Sequence, residues 1–285
     1  MRKIATLLLS AGLVAVSTQA VSGPKEDLEK FRTYFEQKFP GLQLDEFGNG
    51  VYALDANKRI QWEAMEEFPP YEEFVDKGRE IWEKPFKNGK SFADCFGKDP
   101  SKVRVKYPRW DAERQQVVTL ELAINDCRKK NGEKPFKWKK GPIAWLSAYL
   151  GYEARGQKIN VVIPEDDPKA LEAYEKGKHF YYAKRGQLNM ACADCHIKYP
   201  GHFVRGQLLS PALGQVTHFP VFRAKWEKKS KNGDGLGTLH RRYGGCNKQV
   251  RARPFPAQSE QYRNLEFFHQ YMSNGLAINA PGYRE

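Results

Sequence analysis

The sequence predicts a mainly α-helical chain built as two tandem copies of one unit, and three observations predict it. Cys192-Ala193-Asp194-Cys195-His196 forms a Cys-x-x-Cys-His motif. Ala93-Asp94-Cys95-Phe96 repeats part of that motif in the first half of the chain. Each half then closes on apolar residues at i, i+1, i+4 and i+5, the stripe of a buried helical face: Trp145, Leu146, Tyr149, Leu150, and Phe267, Phe268, Tyr271, Met272. Cys-x-x-Cys-His is the attachment signature of a c-type haem. Two thiols one helical turn apart can add to the two porphyrin vinyl groups, and the adjacent imidazole can ligate the iron. Helices packed round a haem and joined by irregular loops make the fold class two tandem cytochrome c-like domains, the first having lost its haem.

The elements follow in order. Arg2 and Lys3, the apolar run Ile4 to Val16 and the small residues near Ala20 read as a signal peptide over residues 1–20. That run falls short of the roughly 20 apolar residues of a membrane span, and no later segment is apolar enough. Export to the periplasm suits a covalently attached haem.

Residues 21–160 form the degenerate copy. Asp76-Lys77-Gly78 leads through Ile81 and Trp82 to Cys95, with Phe92 and Phe96 standing where the second copy has Cys192 and His196. Val117 to Ile124 fits a strand or a helix equally. Cys127 precedes Pro135-Phe136 by eight and nine residues, and Cys246 precedes Pro254-Phe255 by the same interval. The boundary falls between Gly151 and Asp167, a stretch holding Gly156, Pro164 and Pro168 at its end. Residues 161–285 form the haem-binding copy, opening with Glu175-Lys176-Gly177 and the aromatic run Phe180, Tyr181, Tyr182.

Five cysteines less two haem thioethers leave Cys95, Cys127 and Cys246. In an oxidising compartment, Cys95 and Cys127 would face the vacated pocket and form a disulfide, the bland alternative being two buried thiols. The distal side of the iron lacks a methionine. Met1, Met65 and Met190 are misplaced, and Met272 belongs to the closing helix. The distal loop between Ile197 and Asn264 offers His202, His218, His240 and Cys246. Cys246 carries more support, because Gly244-Gly245 lets the backbone approach a flat cofactor and neighbouring Arg and Lys favour a thiolate.

Without residues 1–20, which carry two positive charges and no negative ones, the formal charge of +13 becomes +11. Ten Lys and Arg against two acids between Arg223 and Arg253 concentrate it. For an exported haem protein this points to a small anion or an acidic protein, and away from nucleic acid.

The haem motif, the segment Arg241-Arg242-Tyr243-Gly244-Gly245-Cys246 and the degenerate first copy together resemble the SoxA family, the cytochrome subunits of SoxAX thiosulfate-oxidising complexes. The resemblance spans essentially the whole mature chain. Many SoxA proteins carry two haems. Phe92 and Phe96 depart from that pattern, so the resemblance implies one covalently bound haem c. It implies an L-cysteine S-thiosulfotransferase that conjugates thiosulfate to a cysteine of the carrier SoxYZ and passes electrons to SoxX, its heterodimer partner. Carried over by position, Cys192 and Cys195 hold the haem, and His196 and Cys246 ligate its iron. Cys246 also bears the catalytic persulfide, and Arg242 binds substrate. The competing reading is a simple electron-transfer cytochrome with a structural His/Cys-ligated haem.

Overall fold

A computed structural model describes residues 23–284; the signal peptide expected over residues 1–20 lies outside them. Helices dominate and strands are short. Helix α1 (Pro24–Lys38) starts on a proline at its first turn, where a missing N–H costs nothing. A 3₁₀ run (Leu44–Ala53), α2 (Ala56–Glu67), α3 (Glu72–Glu83) and the short α4 (Phe92–Phe96) follow. The hairpin β1 (Arg109–Asp111) and β2 (Gln116–Val118) leads into α5 (Leu120–Lys130), and α6 (Pro142–Glu153) ends the first copy.

The second copy repeats the plan. Helix α7 (Pro168–Tyr182) precedes a π-helical turn (Asp194–Lys198) and a small hairpin, β3 (Phe203–Val204) with β4 (Gln207–Leu208). Strand β5 (Val221–Arg223), the short α8 (Ala224–Glu227), β6 (Leu236–Gly237), α9 (Leu239–Gln249), α10 (Glu260–Tyr271) and β7 (Gly282–Arg284) complete it. Strand β5 pairs antiparallel with β6 and parallel with β7.

The ambiguous stretch at Val117 is both things in turn. It is a strand through Val118, then a helix once the Thr119 hydroxyl accepts from Leu122 N–H and caps α5. Thr238 occupies the same N-cap place before α9. The two cysteine-bearing helices are therefore matched residue for residue, from Thr119 and Leu120 to Thr238 and Leu239. Within the stretch expected as a distal loop, Ile197 to Asn264, Cys246 lies on this helix α9.

Both copies use one packing device. Helix α3 lies along α6, and α7 along α10. A Cβ on Gly78 would collide with the Trp145 carbonyl and sit 2.8 Å from Tyr149 Cβ. On Gly177 it would collide with the Asn264 carbonyl and sit 2.9 Å from Phe268 Cβ. Glycine recurs in Asp/Glu-Lys-Gly because these crossings leave no room for a side chain.

The copies are interlocked rather than strung together. Val117 of β2 is buried in the second core, and Phe222 of β5 and Leu236 of β6 are buried in the first. Phe222 packs against Phe74, and Trp145 Nε1 donates to Asp234. Helix α1 also belongs to the second core through Phe31 and Phe35, with Asp27 accepting from Tyr174 and Lys178.

Candidate active site

The motif turn is built by its aspartate. Asp194 Oδ2 accepts from Ala191 N–H at 2.8 Å, as Asp94 Oδ2 accepts from Ser91 N–H at 2.7 Å in the first copy. This reach-back fixes the turn on which the cysteines are displayed. Cys192, Cys195 and His196 are all partly buried there.

His196 Nδ1 lies 2.9 Å from both the Ser210 carbonyl and Gln215 Nε2; since the carbonyl can only accept, the tautomer with the proton on Nδ1 satisfies it and leaves Nε2 as the lone-pair nitrogen. Gln215 Nε2 stands 3.3 Å from that Nε2 and donates to Ser210 Oγ at 2.9 Å. Burial, with a smaller push from Arg242, lowers the imidazole to about 4, so the ring is neutral, as a metal ligand requires. Burial pushes the Cys192 thiol up to about 12, with Cys246 next among the causes. Cys195 is raised by burial, Cys246 and Asp194, and Arg242 opposes.

Cys246 and Arg242 stand one helical turn apart on α9 and so share a face. Cys246 acts on both Cys192 and Cys195, and Arg242 on Cys195 and His196, so these residues are neighbours. A Cβ at Gly245 would meet nothing within 4 Å, leaving open space beside the cysteine. Arg241 turns away: its guanidinium lies 4.0 Å over Trp226, and Nη1 donates to the Leu236 carbonyl at 2.6 Å. Lys248 is exposed.

The rival distal histidines are tied elsewhere. His240 Nδ1 accepts from Gln258 N–H at 3.0 Å, and its Nε2 lies 3.1 Å from Glu266. His218 Nδ1 lies 2.9 Å from the Arg284 guanidinium, and His202 sits on an exposed loop.

The residues present fit a haem. A neutral imidazole with its distal proton already bonded adjoins two thiols at the attachment spacing. Around them, Tyr181 Oη, Arg185 Nη1 and His269 Nε2 are buried without a hydrogen-bond partner among the described residues. A cofactor bearing both apolar and polar edges would account for such atoms. In the first copy aromatic side chains stand at the positions of Cys192 and His196. Trp82 stacks on Phe92 with ring centres 6.2 Å apart and lies 6.3 Å from Phe96. Cys95 and Cys127 are joined there in a disulfide.

Sequence reasoning passed over Ser210, Gln215, Tyr181 and His269. His269, held near 3 chiefly by burial, receives the Tyr243 hydroxyl at 3.1 Å. No spacing signal marks these residues, because they come from separate loops and helices. The closing-helix stripe could have flagged His269, which lies between Phe268 and Tyr271.

The chain is similar to several known proteins. A family model described as "SoxA/TsdA, cytochrome c domain" matches residues 77–159, the copy that lacks the intact motif. The L-cysteine S-thiosulfotransferase subunit SoxA of Allochromatium vinosum is 51% identical over 99% of this chain and 98% of its own length. The SoxA subunit of Chlorobaculum tepidum is 53% identical over 91% of this chain and 87% of its own. The crystal structure of SoxXA from P. pantotrophus superposes with a TM-score of 0.66 at 30% identity, covering 76% of this chain and 79% of that one.

Proposed function

The chain belongs to the SoxA family, and from that premise we propose that it is the L-cysteine S-thiosulfotransferase subunit of a periplasmic SoxXA-type complex. Thiosulfate and the cysteine of a SoxYZ-type carrier are its substrates, and a SoxX-type cytochrome is its heterodimer partner. The observation that carries the reading is the placement of Cys246, one turn beyond Arg242 and within Coulombic reach of both motif cysteines. No helix among the described residues is long and apolar enough to cross a membrane.

The overall reaction joins the outer sulfur of thiosulfate to the carrier thiol. The thiol proton and two electrons leave, and the product is a carrier cysteine bearing –S–SO₃⁻. Cys246 carries the chemistry as a persulfide. Its terminal sulfur bonds to the outer sulfur of thiosulfate as two electrons depart to oxidised cytochrome. The carrier thiolate then attacks that outer sulfur, and the Cys246 persulfide leaves unchanged. Arg242 presents a fork of N–H donors to the sulfonate oxygens. Cys192 and Cys195 would hold one haem c, with His196 and Cys246 on its iron, and the haem supplies a one-electron acceptor beside the reacting sulfur. The stacked Trp82, Phe92 and Phe96 support a single haem, confined to residues 161–285.

The test is the Cys246→Ala variant, assayed with its partner and carrier. Conjugation is expected to fall on the order of a thousandfold or more while the haem stays attached. Conjugation at the normal rate would leave only the electron-carrier reading.

A further inference from the structure

Two short basic segments, one from each copy, meet beside helix α9. Residues 134–140 carry four lysines and no acid, and residues 225–231 carry four lysines against Glu227. All of these lysines are exposed. On α1, α3 and α7, lysines hold carboxylates one turn away, as Lys30 holds Glu26, Lys77 holds Glu73 and Lys176 holds Glu172. Among the described residues, none of the lysines in the two basic segments has a carboxylate partner.

The fold joins the segments through Gly237 and Thr238. Thr238 N–H donates to the Lys139 carbonyl at 3.1 Å, and the Thr238 hydroxyl donates to the Trp138 carbonyl at 3.1 Å. Gly237 lies against the Trp226 ring, which a Cβ there would overlap. Each segment is anchored by its own tryptophan, Trp138 packed on the first core and Trp226 on the second. Half-buried indoles thus present flexible, hydrated ammonium groups at one corner where the copies meet.

That corner adjoins the reactive helix without entering the site. Thr238 is the N-cap of α9, and Cys246 lies eight residues further on, about 12 Å along the axis at 1.5 Å per residue. Exposed charges are largely screened beyond about 8 Å at physiological ionic strength. The lysines are therefore too distant to hold a small dianion at the sulfur. They suit a larger anionic body that covers them and Cys246 together. Like charges gathered on a surface repel one another, and an acidic face laid over them relieves that repulsion.

We propose that the lysines of residues 134–140 and 225–231 form the docking face for the carrier protein, which they recognise through an acidic surface beside its reactive cysteine. This rests on the reading of Cys246 as the site of sulfur transfer and adds how the protein substrate finds it. The chemistry favours a transient visitor over the permanent cytochrome partner. Lysine is depleted in the desolvated cores of lasting interfaces, whereas clustered exposed charge speeds encounter. A carrier must leave after every turnover.

The test uses the haem-loaded complex with Lys139→Glu, Lys140→Glu, Lys228→Glu and Lys229→Glu combined, and a milder set with K139Q, K140Q, K228Q and K229Q. Conjugation is measured with the carrier and with a short uncharged cysteine peptide as acceptor, and carrier binding by titration onto the immobilised complex. In the glutamate set, kcat/KM for the carrier should fall about 10- to 100-fold, with kcat at saturating carrier within about twofold. The glutamine set should lose less. Reaction with the peptide and KM for thiosulfate should stay put. Added salt should lower the wild-type kcat/KM steeply and that of the glutamate set little. Unchanged carrier kinetics and binding overturn the docking face and leave the transferase reading standing, as does an equal loss with the peptide. Failure to co-purify with the partner cytochrome assigns the face to that subunit, and lost binding to anionic vesicles with unchanged kcat/KM assigns it to a membrane surface; either result overturns the proposal. A wild type that conjugates neither acceptor sinks the transferase reading, and the binding titration then decides the docking face by itself.

Discussion

Removing the Cys95–Cys127 disulfide tests whether the two copies are mechanically one body. The bond closes a loop with a sequence separation of 32. Chain-entropy reasoning assigns such a loop about 3–4 kcal/mol, and the buried Cys127 sulfur adds roughly 1 kcal/mol of packing. In a Cys95→Ala/Cys127→Ala protein, at about 2–4 °C per kcal/mol for a chain of this size, Tm should fall by roughly 8–20 °C. Two signals separate the halves. Trp82, Trp138 and Trp145 belong to the first core, so, with Trp110 and Trp226 replaced by Phe, tryptophan fluorescence reports chiefly on the first copy. With haem held at Cys192 and Cys195 as proposed, the haem band reports on the second. Because Val117 sits in the second core and Phe222 and Leu236 in the first, both signals should fall together by the same amount. A haem transition left at the wild-type temperature while fluorescence shifts would refute the interlock. No shift in either signal would refute the stabilisation itself.

Two further outcomes follow from the structure. Glu121 is buried, and desolvation followed by the neighbouring Glu266 charge raises its pKa, with His240 and Arg104 opposing. A raised folded pKa gives stability that is full below the unfolded value and lost as pH rises through the folded one. Glu121→Gln should therefore stabilise the protein by at least about 1 kcal/mol at pH 8 and by almost nothing at pH 4, measured by denaturant unfolding. Secondly, a chain produced without haem in an oxidising medium should form a Cys195–Cys246 disulfide, read as a linked peptide pair by mass spectrometry; free thiols at both positions would count against the equivalence of the copies.

Much of the scaffold was legible because duplication supplies its own comparison. The repeated Asp/Glu-Lys-Gly, Ala-Asp-Cys and Pro-Phe elements mark positions where sterics or capping leave little choice. Gly177 shows this, since any side chain meets the Asn264 backbone. The exchange of strands was invisible, because Val117 and Phe222 look like ordinary strand residues whichever core they enter. The motif residues of the site were legible through their spacing. Ser210 and Gln215 were not, since a backbone carbonyl or an amide orienting an imidazole has no periodic signature. Nor did the charge run between Arg223 and Arg253 show which cations face the site. Arg241 and Arg242 are adjacent in sequence, yet one grips Trp226 while the other acts on Cys195 and His196.

The paired copies also explain why the second has an unpaired cysteine. Positions 95 and 127 in the first correspond to 195 and 246 in the second, by the shared Ala-Asp-Cys turn and the shared Thr-Leu start of the following helix. In the first copy the two sulfurs have only each other, and they are bonded with Cα atoms 6.1 Å apart. In the second, a thioether to haem would commit Cys195 and deny Cys246 its natural partner, even though the two thiols lie within Coulombic reach. The helix that carries Cys246 then differs from its twin where chemistry needs it to: Arg242 stands for Ala123, and Gly245 stands for Asp126. The first substitution brings a cation one turn from the sulfur, and the second clears the space beside it. On this reading, haem attachment supplies more than an electron acceptor. In the proposed oxidising compartment it would keep Cys246 from being joined to Cys195 as Cys127 is to Cys95.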